Sequence, residues 1–154
     1  MIESDNDNDE AWMWHAFRLA QRAEHRGEVP VGALIVKDDV CVAEGWNSPI
    51  EHHDASAHAE IEAIRKAGAA LQNYRLTGTT MYVTLEPCIM CVGAIVQARI
   101  ERLVFAAEDS KRGAVCSVLS LADAPFLNHR FKWRGGVLSQ PCSELLKDFF
   151  RARR

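Results

Sequence analysis

Met13, Phe17, Ala20 and Ala23 recur at helical spacing and predict a first helix over residues 10–26, stopped by Gly27. The run VGALIVK then reads as a strand over 31–37, and Asp38-Asp39 as a turn. Residues 40–46 return as a second strand, giving a hairpin. Residues 47–57, rich in Asn, Pro, His and Asp, predict a loop. Ile61, Ala63, Ile64 and Ala67 give residues 58–71 the pattern of a helix, and the β-branched run TTMYVTL predicts a strand over 79–85. Pro87 suits the first turn of a helix continuing through 90–98, because its missing N–H would have had no partner there. Residues 102–106 predict a further strand, 108–113 a polar loop, and 136–139 a short strand or loop. The last helix is expected over 141–153, with Leu145, Leu146, Phe149 and Phe150 as its apolar face. Residues 1–8 are polar, acidic and without periodicity, and are expected to be disordered.

Strand–helix–strand order implies parallel pairing with helices over the sheet, an α/β arrangement. A chain of 154 residues accommodates one core, so a single domain over 1–154 is expected. Composition changes this picture little, since 48% hydrophobic and 25% charged residues are ordinary for a globular protein. No apolar run approaches the ~20 residues that cross a bilayer. The acidic opening MIESDNDNDE is unlike a secretory leader, so no membrane partner and a cytoplasmic location are expected. Charge adds an asymmetry. The net charge is −3, yet the stretch from Arg130 carries Arg130, Lys132, Arg134, Lys147, Arg151, Arg153 and Arg154 against only Glu144 and Asp148. Such an end suits phosphate contacts, or equally a solvated helix end facing the macrodipole.

Candidate chemistry gathers in His58-Ala59-Glu60 and Pro87-Cys88-Ile89-Met90-Cys91, each opening an expected helix. Imidazole and thiolate are zinc ligands, and cysteines three apart share a face of a helical turn. A helix N-terminus also favours thiolate. His58, Cys88 and Cys91 make three ligands. His52, His53 and Cys116 are unconvincing as a fourth, so one position stays open for water, which is the catalytic rather than the structural arrangement. Glu60 starts from the same turn as His58 without facing it, and suits general acid–base work. Cys41, Cys116 and Cys142 have no partner spacing and read as small buried hydrophobes. Thioredoxin-like redox chemistry would need its C-x-x-C after a first strand, which this order lacks.

H-x-E followed by P-C-x-x-C resembles the zinc-dependent cytidine and nucleobase deaminase superfamily. PVGALIV, EGWN, AHAEI, NYRL, YVTLEPCIMC, NHR and DFFRARR resemble, more narrowly, the bacterial tRNA-specific adenosine deaminases over nearly the whole chain. The resemblance implies a cytidine-deaminase-like three-layer α/β/α fold with a mixed central sheet of about five strands. It implies one Zn²⁺ per subunit on His58, Cys88 and Cys91, with Glu60 as proton shuttle, and hydrolysis of adenosine to inosine at the wobble position of a tRNA anticodon, typically an arginine tRNA. It also implies a homodimer and an anticodon stem-loop partner. Carried over by position, Asn47 hydrogen-bonds the purine, and the backbone N–H groups of Ala59 and Cys88 meet the base or the developing oxygen. Val29, Pro30, Leu85 and Pro87 wall the pocket. Asp109 and Lys111, with Asn128 and Arg153, are the RNA-contacting candidates. Taken without the family, Asn47 is a turn residue and Asp109 a loop residue or cap. One departure is Ala55 in place of a proline in D-P-T-A-H-A-E, which loosens the loop entering the helix, though Ser56 is expected to cap it. A small-molecule deaminase acting on free cytosine, guanine or a nucleoside would use the same catalytic residues. The basic last helix favours RNA.

Overall fold

The computed structural model describes residues 2–153, with side chains described from Asn8 to Arg153. A five-stranded mixed sheet in the order β2-β1-β3-β4-β5 forms the middle layer. Its strands are β1 (Gly32–Lys37), β2 (Val40–Trp46), β3 (Thr79–Leu85), β4 (Arg102–Ala107) and β5 (Lys132–Arg134). β1 is antiparallel to β2 and β3, while β3–β4 and β4–β5 are parallel. Helices α1 (Ile2–His25) and α5 (Ser139–Arg151) cover one face, and α3 (Ala59–Leu71) and α4 (Ile89–Ala98) cover the other. The three-layer α/β/α arrangement expected for the chain is therefore present.

The two faces are filled by alternate residues of the same strands. Ala33, Ile35, Met81, Val83, Leu103 and Phe105 pack under α3 and α4, while Leu34, Val36, Tyr82, Val104 and Ala106 pack under α1 and α5. A strand buried on both faces must be apolar at every position, which is why VGALIVK and TTMYVTL read as continuous runs. Each such Leu or Ile contributes about 1.5–3 kcal/mol on burial. Close approach of α3 to β2 depends on Gly45, since a Cβ there would lie 2.4 Å from the Ala59 carbonyl oxygen. That contact fixes the start of α3 against the sheet.

Six local expectations are corrected. The polar opening is helical from Ile2; Met1 lies outside the described residues. Its anchor is Asp9, only 1% exposed, which accepts hydrogen bonds from Tyr82, Arg102 and Arg134. The 47–57 loop contains a short helix, α2 (Pro49–His52). α4 begins at Ile89 with Cys88 as its N-cap, so Pro87 precedes the cap instead of occupying the first turn. The fifth strand is Lys132–Arg134, not 136–139. This edge strand is short and basic, and Trp133 secures it by stacking on Phe105 at 5.9 Å. α5 buries Cys142 and Phe149, leaving Phe150 half exposed, so its apolar face is rotated from the one expected. Of the other cysteines only Cys142 is fully buried; Cys41 and Cys116 are partly exposed.

Candidate active site

Two helix N-termini on the same side of the sheet meet at the site. His58 is the N-cap residue of α3 and Cys88 that of α4, both extended, and Cys91 lies within the first turn of α4. The chain makes its turn into each helix at a ligand, so the backbone transition itself aims the side chains. His58 Nδ1 lies 3.6 Å from Cys88 Sγ and 3.5 Å from Cys91 Sγ. All three donor atoms lie within 4.8 Å of one another. Among the described residues no fourth His, Cys, Asp or Glu joins them. His52 is occupied elsewhere, its Nδ1 lying 2.9 Å from Glu62. One imidazole and two sulfurs at this spacing fit a tetrahedral zinc ion with one open position.

Electrostatics agree with that fit. Hydrogen bonding from Cys91, with His58 alongside, holds the Cys88 thiol down at about 3, so the first thiolate forms there. The hydrogen bond to Cys88 together with burial pushes Cys91 up, and the contact with Cys88 also raises His58. A divalent ion bound by the three donors would displace the protons that Cys91 and His58 retain.

Glu60 sits in the first turn of α3 and is 4% exposed. Burial pushes its carboxyl up to about 7, against hydrogen bonds from its own backbone N–H and from the Cys91 thiol. Its oxygens stand outside the ligand group. A carboxyl beside the donor set and able to hold a proton near neutrality is equipped for general acid–base work.

The remaining candidates separate into those drawn to this centre and those left at a distance. Asn47 follows β2, and its Oδ1 accepts the Ala59 N–H at 3.0 Å. It is therefore more than a turn residue, but the Ala59 N–H expected to meet the base is committed to Asn47. Pro30 and Pro87 are buried, and Val29 and Leu85 are partly buried against the same core cluster. Ser56 does not cap α3; its N–H and hydroxyl both bond Asp54. Asp109 acts as a local cap, accepting the N–H groups of Lys111 and Arg112. Lys111 is exposed, and so is Asn128 in the segment before β5. Arg153 follows α5, its guanidinium 3.5 Å from the centre of the Phe149 ring. Among the described residues no contact ties Asn128 or Arg153 to the ligand cluster.

Besides Asp9, two buried carboxylates escaped the sequence reading. Glu86, 2% exposed, accepts N–H groups from Asp109, Val115, Cys116 and Ser117 and the Ser117 hydroxyl. It ties the 109–117 loop to the residue before Pro87-Cys88. Glu28, equally buried, accepts the N–H groups of Ile50 and Glu51 and so fixes α2 just beyond Asn47. The only signal was a Glu at each end of an otherwise apolar strand context, which spacing alone gives no role.

The family model for the cytidine and deoxycytidylate deaminase zinc-binding region matches residues 6–107. The tRNA-specific adenosine deaminase of Haemophilus influenzae is 49% identical over 147 residues, covering 95% of this chain and 85% of that one. The protein of the same name from Aquifex aeolicus is 49% identical over 139 residues, covering 90% and 91%. A solved structure from work on A-to-I editing by tRNA:A34 deaminases at the wobble position superposes with a TM-score of 0.83 at 43% identity, covering 85% of this chain and 95% of that one.

Proposed function

The chain belongs to the tRNA-specific adenosine deaminases, within the cytidine and deoxycytidylate deaminase zinc-binding family, and on that premise we propose that it hydrolyses adenosine to inosine at the wobble position of a tRNA anticodon. An arginine tRNA is the expected substrate. His58, Cys88 and Cys91 hold the zinc. Bound there, the ion supplies Lewis-acid activation of water at neutral pH. Glu60 takes up the proton that the water releases and donates to N1 of the adenine as oxygen adds at C6. It then takes the proton of the new C6 hydroxyl and passes it to the amine as the C6–N bond breaks and the carbonyl forms, so that adenosine and water become inosine and ammonia. Asn47, held by its own bond to Ala59, keeps its amide N–H₂ available to the purine. Val29, Pro30, Leu85 and Pro87 exclude water around the base.

The observation that carries this reading is the placement of Glu60, buried beside the three donors without being one of them. Asp109, Lys111, Asn128 and Arg153 are the proposed RNA contacts, and the basic end of the chain supports them. A homodimer is proposed, supported by the family resemblance and by Ile89 and Met90, which are exposed between the two cysteines (Ile89 62%). No described helix is long and apolar enough to cross a membrane, and the cytoplasm is the proposed location. The deciding experiment offers bulk tRNA, free adenosine, cytosine and guanine to the enzyme and scores inosine and ammonia. Inosine in tRNA is the expected product; deamination of a free base with tRNA untouched would sink the assignment.

A further inference from the structure

On the sheet face opposite His58, Cys88 and Cys91, we propose that His15, Cys41 and Glu44 form a second metal site, one that takes a divalent ion of the zinc class. The proposal starts from a strand irregularity. Cys41 and Glu44 are three residues apart on β2, and in a regular strand they would point to opposite faces. The pairing of β2 with β1 is irregular there: Cys41 lies opposite Val36, Ala43 opposite Ile35 and Glu44 opposite Leu34, leaving Val42 as an extra residue. This bulge returns Cys41 and Glu44 to the same face, the one that α1 covers.

His15 reaches them from α1. Its Nε2 lies 2.5 Å from Glu44 Oε2, and the three donor atoms all lie within 4.8 Å of one another. The Trp12 ring stacks on the imidazole with centroids 6.0 Å apart, limiting its rotation. Imidazole, thiol and carboxylate form a mixed nitrogen, sulfur and oxygen set that suits zinc better than calcium or magnesium. Charge balances as well. A thiolate and a carboxylate neutralise a divalent ion, so the filled site carries no net charge beside Arg18 and Arg22, which line the same cleft.

Loading has a defined chemistry. Without metal the Cys41 thiol donates to the Ala43 carbonyl and stays protonated, burial and the Glu44 charge both opposing ionisation. Binding therefore forms a metal–sulfur bond and releases that proton to solvent. Metal–ligand bonds of about 2.0–2.3 Å set tetrahedral donor atoms roughly 3.3–3.8 Å apart, so the His15–Glu44 contact must open by about an ångström. The Glu44 side chain is 37% exposed and has room to rotate.

The test uses the zinc-loaded enzyme, equilibrated with excess zinc and freed of unbound ion, with metal counted per chain by mass spectrometry. About two equivalents are expected in the wild type and about one in Cys41→Ala and His15→Ala, with deamination of tRNA retained in both variants. Adding Co²⁺ to the enzyme already holding one zinc should produce a thiolate-to-cobalt absorption band that Cys41→Ala abolishes. Glu44→Gln, which keeps the side chain's shape, serves if the truncations unfold; it should weaken the second equivalent at least tenfold. A wild type that saturates at one equivalent overturns the site. So does a second equivalent, or a cobalt band, that persists in the variants.

Discussion

Glu60 and Glu86 are buried to nearly the same degree, 4% and 2% exposed, and behave in opposite ways. Burial pushes both carboxyls up. At Glu60 its own backbone N–H, the His58 charge and the Cys91 thiol oppose that push without reversing it, and the group ends near 7. At Glu86 burial is again the largest influence, but backbone N–H groups from the 109–117 loop and the Ser117 hydroxyl together reverse it and hold the carboxyl below its usual range. Burial therefore does not decide what a carboxylate does; the number of donors aimed at it does. Glu60, with few donors, can take and return a proton. Glu86 is saturated with donors and can only hold the loop that they come from.

Substitution of Glu60 should give the largest effect. Glu60→Gln keeps the shape and removes the proton carrier, so inosine formation should fall by about 10²–10⁴-fold. Zinc content and melting temperature should stay close to wild type. Turnover near the wild-type rate would show that another group moves the proton.

Glu86→Gln should do the reverse, costing about 2–3 kcal/mol of stability while leaving His58, Cys88 and Cys91 in place. Hydrogen exchange should speed up at the amides of Asp109, Val115, Cys116 and Ser117. Unchanged protection there would mean that the loop is held by something other than this carboxylate.

Asp9 extends the comparison to a third buried carboxylate, at the far side of the sheet. Burial raises it, and hydrogen bonds from Arg102, Tyr82 and Arg134 more than compensate, so it lies below the usual carboxylate range. A depressed folded value gives stability that is present above the unfolded value and lost as pH falls through the folded one. Urea midpoints should therefore drop between about pH 5 and pH 2 in the wild type and less steeply in Asp9→Asn. At neutral pH Asp9→Asn should cost about 2 kcal/mol, below the usual cost of breaking a buried pair because both arginines reach solvent.

The smallest effect belongs to an exposed charge. Arg153→Ala should weaken tRNA binding only a few-fold and lower the salt slope by about 0.7–0.9 for a single phosphate contact. An unchanged slope would remove Arg153 from the RNA surface.

The sequence alone determined most of the elements and the grouping of His58, Cys88 and Cys91. Apolar runs such as VGALIVK and TTMYVTL have few uses outside a sheet covered on both faces, and their observed bounds lie within a residue of the expected ones. His-x-Glu and Cys-x-x-Cys at helix starts carry their chemistry in local spacing, so His58, Glu60, Cys88 and Cys91 were legible before any fold was known. Other features depend on neighbours distant in sequence. Asp9 looked like part of a solvated acidic start until Arg102 and Arg134 were placed around it. Lys132-Trp133-Arg134 lacks a strand pattern and becomes one only because the β4 edge is open beside it. The bulge at Val42, which turns Cys41 towards His15, is a matter of register. A carboxylate's role depends on how many donors converge on it. For Glu86 those donors come from a loop more than twenty residues further along the chain, and only the tertiary structure brings them there.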